Sequence, residues 1–252
     1  MTPFDRRDFT DPTRIDNRFL PFVPGTQFIL EGSAATSGGA VTRRIVLTVT
    51  DLTKVINGVR SAVLLDVDIN DGQLAEAELA FQAQDSAGRV WDQGEYPEEY
   101  ENGKFVGAPS TWISGVAGAE AGQHMLAHLA VGGRTYLQGF APRIDFLDCA
   151  KVFKEHQRIC VSGTCYNDVL EIEESSPLDP DNARQHKFYA PGVGNIKITP
   201  VNDPEAETLD LVRVNHLGAP ALGAVRTAAC LLETRAYKVS AVYRTTPHMQ
   251  CG

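Results

Sequence analysis

Apolar and polar residues alternate along most of this chain with a period of two, which is the spacing of a β-strand with one covered face. The clearest example is the segment 73–85. Its apolar face carries Ala75, Ala77, Leu79, Phe81 and Ala83, and its polar face carries Glu76, Glu78, Gln82 and Gln84. Ala and Glu favour helices, so a helix is the competing prediction, but strict alternation outweighs propensity. We therefore predict a strand over residues 73–85.

Turn signals divide the rest of the chain into similar short segments. The strongest are Asn57-Gly58, Asp71-Gly72 and Asn102-Gly103, which favour tight hairpins. The other predicted strands cover residues 26–31, 41–50, 59–69, 89–96, 105–106, 112–113, 135–140, 159–161, 166–173, 186–190, 193–199 and 208–216, and residues 144–156 fit either a strand or a helix. Turns spaced about every ten residues indicate an all-β sandwich or barrel.

The C-terminal region has a different period. Leu222, Val225, Ala229, Leu232 and Ala236 recur at helical spacing, which predicts one amphipathic helix over residues 219–239. We therefore predict a mainly β protein: a single antiparallel meander or barrel, lipocalin- or streptavidin-like, closed by a C-terminal helix. The expected divisions are an extended N-terminal arm (1–18), the β domain (19–216), and the helix and tail (217–252).

Charge and hydropathy exclude some partners. The net charge is −9, and the basic clusters Arg6-Arg7 and Arg43-Arg44 are only pairs, so nucleic-acid binding is not expected. No run reaches the roughly 18 apolar residues of a membrane helix. The N-terminal segment lacks the apolar core of a signal peptide, which leaves a cytosolic protein and a mature exported form both open. The oligomeric state is also left open.

The odd number of cysteines leaves at least one thiol unpaired in a monomer. Cys160 and Cys165 bracket a Ser-Gly turn, so a bridge between them, or from Cys149 to either, is geometrically possible. A zinc site with His156 as a fourth ligand is the alternative. The spacing lacks the paired knuckles of structural zinc sites, so bridged or buried cysteines are the preferred interpretation.

Several short segments of this sequence resemble segments found in one protein family. They are Phe19–Thr26 with Glu31-Gly32, Ala83–Asp85 with Val90-Trp91 and Gly94-Glu95, Trp112 with Gly115-Val116, and Tyr189–Gly194. Together they resemble a set of bacterial β-rich proteins without an established activity, often secreted or lipid-anchored. The resemblance covers most of residues 19–216 and implies an extracytoplasmic β domain. It assigns no site residue.

Aromatic and acidic residues concentrate between Phe81 and Gly122. Glu95 lies at strand spacing from Trp91, and a carboxylate against an indole has a raised pKa that suits a general acid or base. Aromatic planes also suit a ligand that stacks. The predicted ligand-binding residues are Trp91, Tyr100, Trp112, Tyr136 and Tyr189. The alternative is that both tryptophans are core, with Glu98, Glu99 and Glu101 in a solvated turn.

The segment His124–His128 is a candidate metal site. If it is helical, the two imidazoles share one face, as a metal-binding pair requires. The segment lacks the glutamate of a zincin, so metalloprotease chemistry is not supported. A third ligand would be His186, His216 or a carboxylate. Two polar residues beside a loop are the simpler interpretation, and we expect no cofactor.

Three functions fit these features. The favoured hypothesis is a protein that binds a small, partly apolar molecule in an aromatic-lined barrel cavity. The second is a cofactor-independent or metal-assisted lyase, isomerase or hydrolase, with Glu95 as acid or base and His124 or His128 as its partner. The third is an envelope-associated structural or interaction protein that uses its acidic face.

Overall fold

The computed structural model describes residues 3–179 and 182–251. Residues 1, 2 and 252 of the predicted arm and tail, and residues 180 and 181 of a loop, lie outside the described residues. The strands are β1 (Ile15–Asp16), β2 (Pro21–Phe22), β3 (Thr26–Thr36), β4 (Gly39–Ile56), β5 (Val59–Asn70), β6 (Gln73–Gln84), β7 (Val90–Glu101), β8 (Lys104–Gly107), β9 (Trp112–Ile113), β10 (Glu120–Met125), β11 (Tyr136–Ala141), β12 (Phe146–Val161), β13 (Thr164–Ser175), β14 (Arg184–Ala190), β15 (Gly194–Val201) and β16 (Thr208–His216). The helix α1 spans Ala219–Val239, and short 3-10 helices cover Arg6–Asp8 and Tyr243–Thr245.

Within the described part of the chain, twelve strands form a closed antiparallel barrel. Neighbours in sequence pair with each other from β3 to β7 and from β10 to β16; β16 pairs with β3, and β10 closes the ring against β7. The predicted antiparallel barrel is therefore confirmed. Lipocalin and streptavidin barrels have eight strands, whose interior is just wide enough for side chains or one small ligand. A ring of twelve leaves more internal space.

The local sequence explains the hairpins. Asn57-Gly58 and Asp71-Gly72 have positive φ at both residues, as the type I′ turn requires. They join β4 to β5 and β5 to β6 in direct register. The ambiguous segment 144–156 is strand, because it pairs with β11 on one side and β13 on the other.

The helix α1 has the predicted bounds but not the predicted place. It packs on the outer wall of the barrel, over the outward side chains of β4 to β7, and does not close an end of it. Val63, Leu65, Leu79 and Phe81 lie beneath it. The reason is that this apolar face of the wall would otherwise meet water.

One end of the barrel interior is filled by residues 15–22, which we call the plug segment. Ile15, Phe19, Leu20 and Phe22 are buried in the inner core. Asn17 holds the segment in place, since its side chain accepts from the backbone of Phe19 and donates to the carbonyls of Gly88 and Leu126.

Two disulfides are present. Cys160 and Cys165 join β12 to β13 across a hairpin, and Cys230 on α1 is bonded to Cys251 in the tail. Cys149 is unpaired. The first pairing is the local bridge considered above, and it removes those two thiols from the alternative zinc site.

Candidate binding chamber

The inner faces of the barrel strands enclose a cavity of about 230 Å³. One side of its wall is apolar, and the other carries polar and charged groups from several strands and a loop. The apolar lining comprises Leu20, Phe22, Phe28, Leu30, Ile45, Leu47, Tyr189, Val193 and Ile198. The polar lining includes Arg43, Asp66, His124, Lys187 and Glu207. We call this cavity and the inward polar residues around it the chamber.

The polar face of β6 points into the chamber, and the apolar face points outward under α1. Glu78 stands opposite Asp66, and Glu76 stands opposite Asp68, in the register of β5 with β6. Like charges placed directly opposite each other on a sheet are destabilising. The arrangement therefore needs an explanation other than packing.

A bulge in β7 adds two more carboxylates. Gln82 pairs with Asp92 and Ala80 with Glu95, so the extra residue at position 93 to 94 lets both acids face inward. Gly94 makes this possible: its φ is +138°, and a Cβ there would lie 2.5 Å from the carbonyl oxygen of Trp112. A bulge that re-aims side chains is typical of functional sites.

Glu95 also contacts an indole, although not the one expected. The Nε1 of Trp112 donates to Glu95 Oε2 over 3.3 Å, and the Trp112 ring stacks on Phe146. Burial raises the pKa of Glu95 above its ordinary value. Burial together with the Glu95 charge raises the pKa of Asp92 well above its ordinary value.

The cations of the chamber are already paired. Arg43 forms an ion pair with Asp68, and its Nε lies 2.8 Å from Glu207 Oε1. Lys187 Nζ lies 2.6 Å from Glu174 Oε2. Burial alone would lower the pKa of Lys187, but Glu174 outweighs it and the pKa is raised.

Carboxylates outnumber these cations. The inward acids that act on one another are Asp66, Asp68, Glu76, Glu78, Asp92, Glu95, Asp148, Glu174 and Glu207. Burial, reinforced by neighbouring carboxylates, raises the pKa of Glu76 and of Asp148 to about 7. Burial also raises the pKa of Asp68 to about 6, against the opposing charge of Arg43. Several chamber acids therefore change charge close to neutral pH.

His124 contributes no positive charge to this balance. Burial lowers its pKa to about 4, with Lys187 acting in the same direction and Glu174 against it. The imidazole is neutral near pH 7.

Some chamber atoms have no hydrogen-bond partner among the described residues. They are Arg43 Nε, Asp66 Oδ1, the side-chain carbonyl oxygen of Gln82 and the hydroxyl of Tyr136; the approach of Arg43 Nε to Glu207 is an ion pair without hydrogen-bond geometry. Gln82 is 3% exposed and Tyr136 is 6% exposed. Buried polar groups are normally paired, so each unpaired one marks a place for water or a ligand.

A second cavity, of about 320 Å³, lies at one end of the barrel, and we call it the acidic cavity. The Lys187–Glu174 ion pair lies between the two cavities, because Lys187 lines the chamber and Glu174 lines the acidic cavity. The charged residues of the acidic cavity are Asp148, Glu174, Asp179, Arg184, Asp203 and Glu205.

The structure divides the predicted site residues into two groups. Glu95, His124, Trp112, Tyr136 and Tyr189 lie in or beside the chamber. Trp91 lies on the outer wall, where Phe4 and Phe9 of the N-terminal arm pack on its ring. Tyr100 also lies outside, and its hydroxyl donates to Glu98. The prediction that Trp91 and Tyr100 line the ligand cavity is therefore wrong.

Glu98 is also not in a solvated turn. It is fully buried and accepts from Arg235 of α1 and from the hydroxyls of Tyr96 and Tyr100. Glu101, which is exposed, fits the solvated interpretation.

The predicted histidine pair does not share a helix face. Residues 120–125 form β10 and a loop follows, so His124 points into the barrel while His128 is exposed. Among residues 3–179 and 182–251, no group of three or more His, Cys, Asp or Glu side chains is placed to hold a metal ion.

Sequence reasoning missed Asp66, Glu78, Asp92, Glu174 and Lys187. The available signal was the alternation of glutamate on one face of β6. The alternation does not tell whether the acidic face meets solvent or the barrel interior, and charged faces usually meet solvent.

No protein-family model matches the chain, and no curated protein matches it. Two solved structures are similar to it. One is a protein inferred to be exported, with a YmcC-like fold, from Bacteroides fragilis NCTC 9343; identity is 11%, the TM-score is 0.44, and the match covers 79% of this chain and 99% of that chain. The other is an inferred lipoprotein from Parabacteroides distasonis ATCC 8503, with 10% identity, a TM-score of 0.40 and the same coverages.

In the part of the chain that the structure describes, no helix has both the length and the apolar character needed to cross a membrane.

Proposed function

We propose that this protein binds a small, partly apolar molecule inside the barrel. The observation that carries the proposal is the chamber, in which an apolar wall and the unpaired Asp66 Oδ1 face the same cavity. Ligand sites combine a mostly apolar lining with a few polar groups that fix orientation. A chamber of about 230 Å³ suits a molecule of few heavy atoms.

The wall provides two different contacts for such a molecule. Phe28, Leu30 and Leu47 offer an apolar surface next to the plug segment. Asp66 and the hydroxyl-bearing ring of Tyr189 lie on the same cavity. A ligand with one apolar and one polar end would satisfy both.

The test is a thermal-shift and calorimetry screen with short-chain alcohols, amines and carboxylic acids. A ligand at about 100 times its Kd adds about 2.7 kcal/mol to the free energy of unfolding, which is readily measured. We expect Leu47→Trp, which fills the chamber, to abolish the response. Leu178→Trp, at an exposed position, is the matched control and should respond like the wild type. Absence of any response, or an equal response from Leu47→Trp, would refute the proposal.

A catalytic role is the second candidate. Glu95 and His124 belong to the same chamber, and burial moves their pKa values in opposite directions, which is how enzymes separate an acid from a base. The charges that act on His124 are those of Glu174 and Lys187, so direct pairing with Glu95 stays a prediction. Any lyase, isomerase or hydrolase activity found should be lost in both Glu95→Gln and His124→Ala; retention in either variant removes that residue's role.

An oxidising compartment fits this function. The two disulfides support it, because such bonds persist mainly in secreted and periplasmic proteins. Mass spectrometry of protein isolated without reductant should find four of the cysteines bridged, as the two pairs require. The envelope-associated structural role stays a prediction; the acids of β6, however, face the chamber and not a partner surface.

A further inference from the structure

We infer that the molecule held in the chamber is an organic cation, with an ammonium or similar donor group at the acidic side and a short apolar body against Phe28, Leu30 and Leu47. This inference rests on the proposed binding function and names its ligand class.

Two of the unpaired atoms of the chamber are oxygens that call for a hydrogen-bond donor. Asp66 Oδ1 is an acceptor when its carboxyl is ionised, and Gln82 presents an unpaired carbonyl oxygen. Gln82 lies on the inner face of β6, beside Ala62 and Asp92, and is 3% exposed. An ammonium group carries three donors and no acceptor, so it matches this set.

The charge balance excludes an anion and favours a cation. The positive groups that line the chamber, Arg43 and Lys187, are already held by Asp68, Glu207 and Glu174. Among the described residues, no cation forms an ion pair with Asp66 or Glu78, which lie opposite each other on β5 and β6. The positive charge that acts on Asp66 is that of Arg43, on the neighbouring strand β4. Burial raises the pKa of the Asp66 and Glu78 carboxyls well above the ordinary value, so a bound cation would stabilise the ionised form that burial disfavours.

The cavity that adjoins the chamber across the Lys187–Glu174 ion pair has the same sign. Asp148, Glu174, Asp179, Asp203 and Glu205 line this acidic cavity, with Arg184 as the opposing charge. A cleft lined by one sign of charge concentrates ligands of the opposite sign. A cation is therefore favoured in the acidic cavity as well as in the chamber.

The apolar body follows from the opposite wall. Leu20, Phe22, Phe28 and Leu47 line the same cavity as Asp66. A strongly hydrated inorganic ion would leave this wall without a contact, whereas an alkylamine would cover it and gain apolar burial.

The experiment compares hexylamine, hexanol and hexanoate by isothermal calorimetry on the full chain at low salt. These probes share one apolar body and differ in the head group. We expect hexylamine to bind at least tenfold more tightly than hexanol, and hexanoate to bind more weakly still. Asp66→Asn should weaken hexylamine at least tenfold and leave hexanol within about threefold. Asp11→Asn removes the same charge from an exposed position and is the matched control.

The outcomes separate the two proposals. If none of the three probes binds, the binding function itself fails. If hexanol or hexanoate binds as tightly as hexylamine, or if Asp66→Asn does not alter hexylamine affinity, binding in the chamber stands and the cation inference is overturned. Calcium chloride alone is a further arm: tighter binding of calcium than of hexylamine would replace the organic cation with a metal ion.

Discussion

Two regions of this protein bury charged side chains, and they treat those charges in opposite ways. Between the barrel wall and α1, Lys54 and Glu233 form an ion pair of 2.8 Å in which nothing is left unsatisfied on the ammonium. In the chamber, the Asp66 and Glu78 carboxyls face each other, burial raises the pKa of both, and an oxygen of Asp66 has no partner. The same chain thus gives one buried charge a full set of partners and leaves a buried carboxyl oxygen without one. We take the difference to mean that the chamber is built for something besides stability.

The Lys54 site shows what a structural buried charge looks like. Its Nζ donates to Glu233, to the Tyr237 hydroxyl at 3.1 Å and to the Pro247 carbonyl at 2.8 Å. The ammonium also lies 4.3 Å from the centre of the Tyr243 ring. These contacts tie β4, α1 and the tail together.

The largest expected effect comes from breaking that pair. Lys54→Met leaves Glu233 buried without its cation, and removal of one partner of a buried ion pair costs about 3–5 kcal/mol. Urea denaturation followed by circular dichroism would measure it. Lys54→Met with Glu233→Leu should recover most of the loss. A cost below about 1 kcal/mol for the single variant would contradict the contrast between the two regions.

The next effect concerns the tail that completes the Lys54 site. Replacing both Cys230 and Cys251 with serine opens a loop with a sequence separation of 21, which we expect to cost about 3 kcal/mol. The pair Cys160 and Cys165, replaced in the same way, is the control: its separation is 5, so its removal should cost less. Thermal unfolding of both double variants tests the order, and a larger loss at the short loop would reverse it.

A smaller effect is expected in the chamber, with the opposite sign. The folded pKa of Glu76 is about 7 against an ordinary 4.5, so between these values the folded protein binds more protons than the unfolded chain. Its contribution to stability is therefore full at low pH and is lost as the pH rises through about 7. Glu76→Gln removes this loss and one like-charged pair, and should stabilise the protein by up to about 1 kcal/mol at pH 8.

The readout for Glu76→Gln is the difference from wild type in the free energy of unfolding, measured from pH 4 to pH 8. That difference should grow as the pH rises. The control Glu101→Gln, at an exposed hairpin position, should show a flat profile. A flat profile for Glu76→Gln as well would mean that the chamber acids are ordinary surface groups.

The smallest effect is expected at an exposed ion pair of the same helix. Arg226 of α1 pairs with Asp51 of β4, and both side chains are partly exposed to solvent. Exposed pairs contribute about 0.2–1 kcal/mol, so Arg226→Gln should cost no more than this, and less at high salt. A loss comparable to that of Lys54→Met would show that burial is not what separates the two helix contacts.

Much of the fold could be predicted because its signals are local. Period-two alternation identified β6, the three Asn-Gly and Asp-Gly turns located hairpins, and period 3.6 gave the bounds of α1. Local signals did not give the position of α1, because the same apolar stripe can cover an end of the barrel or its outer wall. The closing contact of β10 with β7 is also nonlocal, and no residue type marks it.

The site was predicted in part for the same reason. Glu95 and His124 stood out by residue type, and the barrel brings both to the chamber. Lys187 and Asp66 are distant in sequence from them and from each other, and only the closed ring of strands places all four around one space. Trp91 carried an equally strong signal, and the N-terminal arm covers it on the outside.

The sequence by itself determined that β6 has one apolar and one acidic face, because side chains of a strand alternate by geometry. Which face looks inward was decided by tertiary structure. Burying Leu79 and Phe81 against α1 turned Glu76 and Glu78 toward the barrel axis. An apolar face only needs cover, and a helix outside the wall supplies it as well as a core within.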